Sequence, residues 1–197
     1  MKKARLEAFS DGVFGFAITL LVLGVQVPSL KTVTDAELRA ALLQALSQLV
    51  PYVTSFATIG IMWLNHHAMF DSVERVDHRT LMLNLLLLLV VTFIPYPTAV
   101  LSRYGTFASS TFLYGCTLTA LSLAYSLLWR HISAKGLSSV SMDRKQAHMR
   151  HRRNMVGALA YPAATVTALY FPRVSVTVYF MAAVYYLVHA GGATDTE

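Results

Sequence analysis

The sequence predicts an all-α integral membrane protein with six transmembrane helices, folded as a single membrane domain over residues 1–197. Three observations lead there. Hydrophobic residues make up 55% of the chain and charged residues 13%, about half the charge of an average soluble domain. The mean hydropathy is +0.52. The charges gather between apolar runs, and those runs approach the ~20 residues needed to cross a bilayer.

The spans are expected at about 8–28, 40–69, 80–101, 107–130, 154–171 and 174–190. In the first, charge stops at Asp11 and resumes only at Lys31. Lys2 and Lys3 precede it, yet no small-residue cleavage site follows, so this helix is expected to be retained as a span. The second is long, with Gln44 and Gln48 forming a polar stripe near its start and Pro51 marking a bend. In the third, Asn84 reads as interhelical glue, and Pro95-Tyr96-Pro97 is expected to end the span. The fourth carries Cys116, the one cysteine, which reads as a buried structural thiol and excludes a disulfide framework. The last two spans are short, and Pro172-Arg173 between them reads as a tight hairpin. Residues 131–153, rich in Ser, Lys, Arg and His, form the one sizeable loop, either solvated or lying against anionic lipid head groups.

Charge asymmetry orients these spans. Lys2, Lys3, Arg5, Arg75, Arg79, Arg130, Lys135, Arg144, Lys145, Arg150, Arg152 and Arg153 fall on one side, against Lys31, Arg39, Arg103 and Arg173 on the other. The positive-inside rule then places both termini and the 131–153 loop in the cytoplasm. It also accounts for the net charge of +6 without any nucleic-acid partner.

Function is expected on the first helix, because an ionisable group in a span is costly and is kept for a pathway or a gate. Ser10 and Asp11 fit two roles. One is an N-cap for the apolar run. The other is a polar clamp with Arg5, although a spacing of six turns Arg5 about 120° from Asp11 and points the clamp toward other helices. Phe16, Leu20 and Leu23 follow at i, i+4 and i+7 and so share a face. That face is either ordinary helix packing or an apolar constriction, with the Thr19 hydroxyl offering oxygen between the bulky side chains. Near the end of the second helix, Trp63, Asn65, His66 and His67 sit at the expected depth of Asp11 and could supply the donors a carboxylate needs. Adjacent histidines lack the i, i+4 spacing of a helical metal site. Trp63 also suits an interfacial aromatic belt. His148 and His151 lie in the basic loop, and no nucleotide, zinc-protease or nucleophile-elbow motif is present, so no enzyme is expected.

Arg5-x-x-x-Phe9-Ser10-Asp11, followed by Gly12-Val13-Phe14 and Ile18-Thr19-Leu20-Leu21, resembles the signature of the transmembrane protein 175 family of potassium channels. Trp63-x-x-His66-x-x-x-Phe70 resembles the end of that family's second helix, and Asn84 with Phe93-x-Pro95-Tyr96-Pro97 its third. The resemblance implies a homotetramer in the plasma membrane, with a central pore lined by first helices and passive, potassium-selective conduction that extends to protons in some members. It needs no cofactor and takes monovalent cations, lipid and further copies of the chain as its partners. By position, Phe16, Leu20 and Leu23 match the apolar constriction and Thr19 the selectivity layer. Arg5, Phe9, Ser10, Asp11, Trp63 and His66 match the motif and polar network. Relatives usually carry Ile or Leu at the narrowest layer, where this chain has Phe16. No Thr-Val-Gly-Tyr-Gly-like segment is present, so selectivity must come from side chains and pore width. The rival readings are a proton-coupled small-solute carrier relaying through Asp11 and His66, with its pathway inside one chain, and a non-transporting membrane scaffold.

Overall fold

The computed structural model describes residues 3–27, 29, 34–105, 107–135, 137 and 157–190, and among them every regular element is a helix. Helix α1 covers Lys3–Leu20 and continues as a 3-10 turn, Leu21–Gly24. Then follow α2 (Asp35–Asp71), α3 (His78–Phe93), α4 (Pro95–Tyr104) and α5 (Ala108–Ala134). Helix α6 is helical at 157–167, and α7 covers Pro172–Ala190.

Three stretches are each long and apolar enough to cross a membrane: Lys3–Gly24, His78–Tyr104 and Ala108–Ala134. Helix α2 makes a fourth if its two parts, bent by 47° between Leu43 and Gln48, count as one span. Pro51 explains the bend one turn upstream. Its ring crowds the carbonyl of Ser47, and it has no N–H to close that turn. Helix α7 is apolar over Pro172–Val188 but shorter.

Several boundaries differ from the sequence reading. Helix α1 begins at Lys3 rather than residue 8, with Lys3 and Glu7 paired across its first turn at 3.6 Å. Ser10 and Asp11 therefore lie well inside the helix, and neither is its N-cap. The helical run stops at Gly24 and not residue 28, because Val25 turns extended at φ −81°, ψ 110°. Helix α2 starts earlier than residue 40, where the Thr34 hydroxyl caps it by accepting from the Glu37 amide at 3.3 Å. Pro95 and Pro97 do not end the third span. Pro95 occupies the first turn of α4, where a missing N–H costs nothing, and the apolar stretch carries on to Tyr104. Pro172-Arg173 is likewise the start of α7 and no hairpin; the turn lies at 168–171, where the Phe171 amide donates to the Thr167 carbonyl at 2.8 Å. Residues 131–134 of the expected loop are the last turn of α5. The remainder of that loop, with His148 and His151, falls outside the described residues. Cys116 is exposed on α5 and not buried, since the inward face of that turn is taken by Tyr114, Gly115, Thr117 and Leu118.

Helix α1 packs against both α2 and α3, α3 packs against α5, and α2 also carries α4 and α7. Its buried stripe of Leu6, Phe14, Ala17 and Leu21 joins Ile59, Met69 and Phe70 of α2 and Leu87, Leu88 and Val91 of α3 in one core. A second core joins α4 to the outer helices through Leu101, Tyr114, Leu118, Tyr161, Ala164 and Tyr179. Gly115 is required there, because a Cβ would overlap the Tyr179 hydroxyl and the Thr165 hydroxyl.

Asp77 ties the α2–α3 corner to the end of α5. Its Oδ1 accepts from the Thr80 amide at 2.7 Å and the Thr80 hydroxyl at 2.6 Å, capping α3, while both its oxygens lie within 3.1 Å of His131 Nε2. The Thr80 hydroxyl and amide, followed by His131, hold its carboxyl down at about 2, from an ordinary 3.8. A depressed carboxylate contributes stability above its ordinary value and loses it as the pH falls through the lowered one. The contribution of Asp77 is therefore expected to be complete above about pH 4 and to vanish between about pH 4 and 2. Asp77→Ala should cost about 1 kcal/mol through the lost cap, read as a lower melting temperature in detergent at neutral pH, with the difference from wild type shrinking over that acidic window.

Candidate functional site

A buried polar chain fixes the rotation of α1. Asn84 of α3 donates through Nδ2 to Ser10 Oγ at 3.0 Å, and its Oδ1 lies 2.8 Å from His66 Nε2 of α2. Because Oδ1 can only accept, the proton in that contact belongs to His66 Nε2. Ser10 passes its own proton to the Leu6 carbonyl one turn back, at 2.9 Å. All three side chains are at most 1% exposed, and the His66 ring is packed between Phe70 and Phe14, with centroids at 4.5 and 5.4 Å. Three helices are thus joined through one set of bonds at the same depth.

Asp11 lies beside this chain without joining it. Its Oδ1 accepts from Trp63 Nε1 at 2.8 Å, on the exposed side of the α1–α2 contact. Trp63 in turn stacks on His67, which approaches Asp71 at 3.6 Å. The structure therefore brings Ser10 together with His66, and Asp11 with Trp63. It gives Asp11 and His66 separate partners and not a shared relay. Asn84, read from sequence only as glue, is the central member of the chain. Arg5 and Phe9 lie outside it. Both are exposed, and among the described residues Arg5 makes no hydrogen bond or ion pair. No cluster of three or more His, Cys, Asp or Glu side chains suited to a metal ion occurs among the described residues.

The opposite face of α1 is bare. At about 100° per residue, Leu6, Phe14 and Ala17 lie within about 40° of Ser10, whereas Thr19 stands about 180° away. Phe16 is 72% exposed, Leu20 42% and Leu23 76%. Thr19 is exposed too, and its hydroxyl donates to the Phe16 carbonyl at 2.9 Å, which leaves the oxygen outward as an acceptor. A Cβ added at Gly12 or Gly15 would meet nothing within 4 Å. The small residues of this face do not serve packing inside the chain. The 3-10 turn also changes the register of the bulky residues. Three residues make a full 3-10 turn, so Leu23 stands over Leu20, about 6 Å further along the axis.

Away from α1, a cavity of about 50 Å³ lies between α2, α5, α6 and α7, lined by Asn65, Ser122, Tyr125, Ser126, Tyr161 and Tyr186 among others. It has room for one or two waters and contains no residue of the first helix.

The model of the family described as endosomal/lysosomal potassium channel TMEM175 matches residues 5–95, which include the whole polar chain and the bare face. A potassium channel of Chamaesiphon minutus is 37% identical over 192 residues, covering 94% of each protein. The chain belongs to the TMEM175 family. The crystal structure of a lysosomal potassium-selective channel TMEM175 homolog from Chamaesiphon minutus superimposes with a TM-score of 0.85 at 35% identity, covering 95% of this chain and 97% of that one. The endosomal/lysosomal proton channel TMEM175 of Bos taurus is 38% identical over 101 residues, or 48% of this chain and 21% of its own length. This is a family of membrane channels and not of enzymes.

Within this TMEM175-family chain, Asn84→Leu would leave the buried His66 donor without its acceptor and remove the bond that holds Ser10, whose own proton stays on the Leu6 carbonyl. Leaving a buried polar group unpaired costs about 1–3 kcal/mol. The variant is expected to melt well below wild type, whereas Trp63→Phe, at the exposed edge, should shift melting far less. Equal shifts for the two would remove the buried chain as the main anchor.

Proposed function

We propose that the protein is a potassium-selective channel that conducts passively through an axial pore lined by α1 from four copies of the chain. The observation that carries this reading is the bare face of α1, where Phe16, Thr19, Leu20 and Leu23 are exposed opposite a face locked to α2 and α3. Bulky apolar side chains alone would suit lipid equally; what favours a narrow ion path is that this face belongs to the helix bearing the family motif and carries the Thr19 oxygen. Rings of Phe16, Leu20 and Leu23 would exclude water and so block ions at rest, and the Thr19 oxygens would replace part of the lost hydration. Asp11, on the flank of the same helix, would act as an anchor through Trp63 and not as a site for the ion.

In this reading residues 1–197 form one channel domain of six spans, with α2 crossing as a bent helix and α6 and α7 as the last two. The excess of Lys and Arg on one side supports cytoplasmic termini in a plasma-membrane protein. Relatives named potassium channels and a relative named a proton channel support monovalent cations as the permeant class. The rival carrier would need a solute pathway inside one chain that passes Asp11 and His66, and neither the cavity among α2, α5, α6 and α7 nor the open groove of about 400 Å³ between α6 and α7 contains either residue.

Phe16→Ala should raise potassium leak severalfold in liposomes carrying purified protein, because the largest ring of the barrier is gone. Unchanged flux from a well-folded variant sinks the gate assignment. Asp11→Asn weakens the acceptor for Trp63 and should reduce assembly or conduction, read by the mass of the detergent-solubilised complex and by the same flux assay. A monomeric wild-type protein contradicts an axial pore outright.

A further inference from the structure

A second buried polar chain, outside the motif residues, joins α2, α4 and α5 at the other end of the molecule. Ser55 Oγ lies 2.7 Å from Thr98 Oγ1 and 2.8 Å from the Tyr114 hydroxyl. None of the three is more than 2% exposed. Thr98 spends its one proton on the Ile94 carbonyl, at 2.8 Å. With the Thr98 proton on the Ile94 carbonyl, the order that satisfies each contact is Tyr114 to Ser55, Ser55 to Thr98 and Thr98 to Ile94, with Thr58 as a further hydrogen-bond partner of the Tyr114 hydroxyl. The inner chain ends in the same way, with a hydroxyl on the carbonyl four residues back.

Residue Ala99, next to Thr98, carries the connection to helix one. A Cβ on Gly24 would stand 3.0 Å from the Ala99 Cβ and 3.4 Å from its Cα. The 3-10 turn holding Leu23 thus rests directly on the backbone of α4, with no flexible side chain between them. Helix α2 supplies a member to each polar chain. Ser55 and His66 are eleven residues apart, which places them about 20° apart on one face and about 16 Å apart along the axis.

We propose that the Tyr114–Ser55–Thr98 chain is a second positioning network, setting where the Leu23 end of helix one stands through the contact of Ala99 with Gly24. It deepens the channel reading and rests on α1 lining the pore. The inner chain fixes the rotation of α1 near Ser10. The outer chain fixes α4 against α2 and α5, and α4 sets how far the Leu20–Leu23 layers lean toward the axis. Side-chain selectivity depends on that spacing, whereas bulk folding does not.

The test compares potassium and sodium flux through purified, assembled protein in liposomes. Thr98→Val keeps the shape and removes the hydroxyl. It is expected to lower the potassium-to-sodium flux ratio by about two- to thirtyfold, the range seen for coupling residues that touch no ligand, while Thr98→Ser retains the wild-type ratio. Gly24→Ala reaches the same layers without touching a hydroxyl and should lower the ratio as well, with Ala99→Gly restoring it in the double variant. If Thr98→Val does not assemble, the Gly24 and Ala99 pair decides alone. An unchanged ratio in assembled Thr98→Val or Gly24→Ala, or an equal loss in Thr98→Ser, overturns the proposal. Phe16→Ala run alongside separates the two readings. A raised leak there with unchanged ratios elsewhere overturns only the outer network, and an unchanged leak overturns the gate on α1 and, with it, the network that is proposed to position it.

Discussion

The hydrogen bonds joining Ser10, Asn84 and His66 are the constraint from which the rest follows. Between membrane helices, lipid removes most of the hydrophobic drive, so directional polar bonds and close fit decide which faces meet. A serine, an amide and an imidazole buried together at 1% exposure or less depend on one another, and moving Asn84 leaves the His66 donor unpaired. Ser10 must therefore face inward, and the helical period then sends Thr19 outward. The exposed face of Phe16, Thr19 and Leu23 is a geometric consequence of the buried one.

Helix α2 acts as the shared strut of this arrangement. Its Ser55 and His66 face one way three turns apart, each holding a polar chain that ends on a backbone carbonyl one turn back. The bend upstream of Pro51 leaves both residues on one part of the helix, Gln48–Asp71. Breaks elsewhere serve the same end. Pro95 and Pro97 lie in the first turn of α4, just beyond which Thr98 meets Ser55 and Ala99 meets Gly24.

Much of the inner site was legible in the chain itself. Ser10, Asp11, His66 and Asn84 stand out as polar residues in apolar runs, where a polar group needs a reason. Their partners were not legible. Of the four donors expected near Asp11, Trp63 is the one that meets it, whereas His66 meets Asn84, because pairing depends on which helix faces which. Arg5 and Phe9 belong to the motif but not to the hydrogen-bonded set, since both point to the bare side of α1. The outer chain was missed for another reason. Serine and threonine in a span commonly bond their own helix and tyrosine commonly marks the membrane interface, so Ser55, Thr98 and Tyr114 carry no distinguishing spacing. The misread ends at Pro95 and Pro172 share one cause: proline at a first turn starts a helix as readily as it stops one.

By itself the sequence determined the class of the protein. Low charge, long apolar runs and basic loops demand a helical membrane protein, because backbone groups in hydrocarbon can be satisfied in few other ways. It also determined the helical face on which Phe16, Leu20 and Leu23 stand. Only the tertiary structure decided that this face is left open while Ser10 is sealed, and that a 3-10 turn places Leu23 over Leu20. Periodicity states which residues share a side, but which side is buried depends on contacts from Asn84 and His66, 74 and 56 positions away along the chain from Ser10.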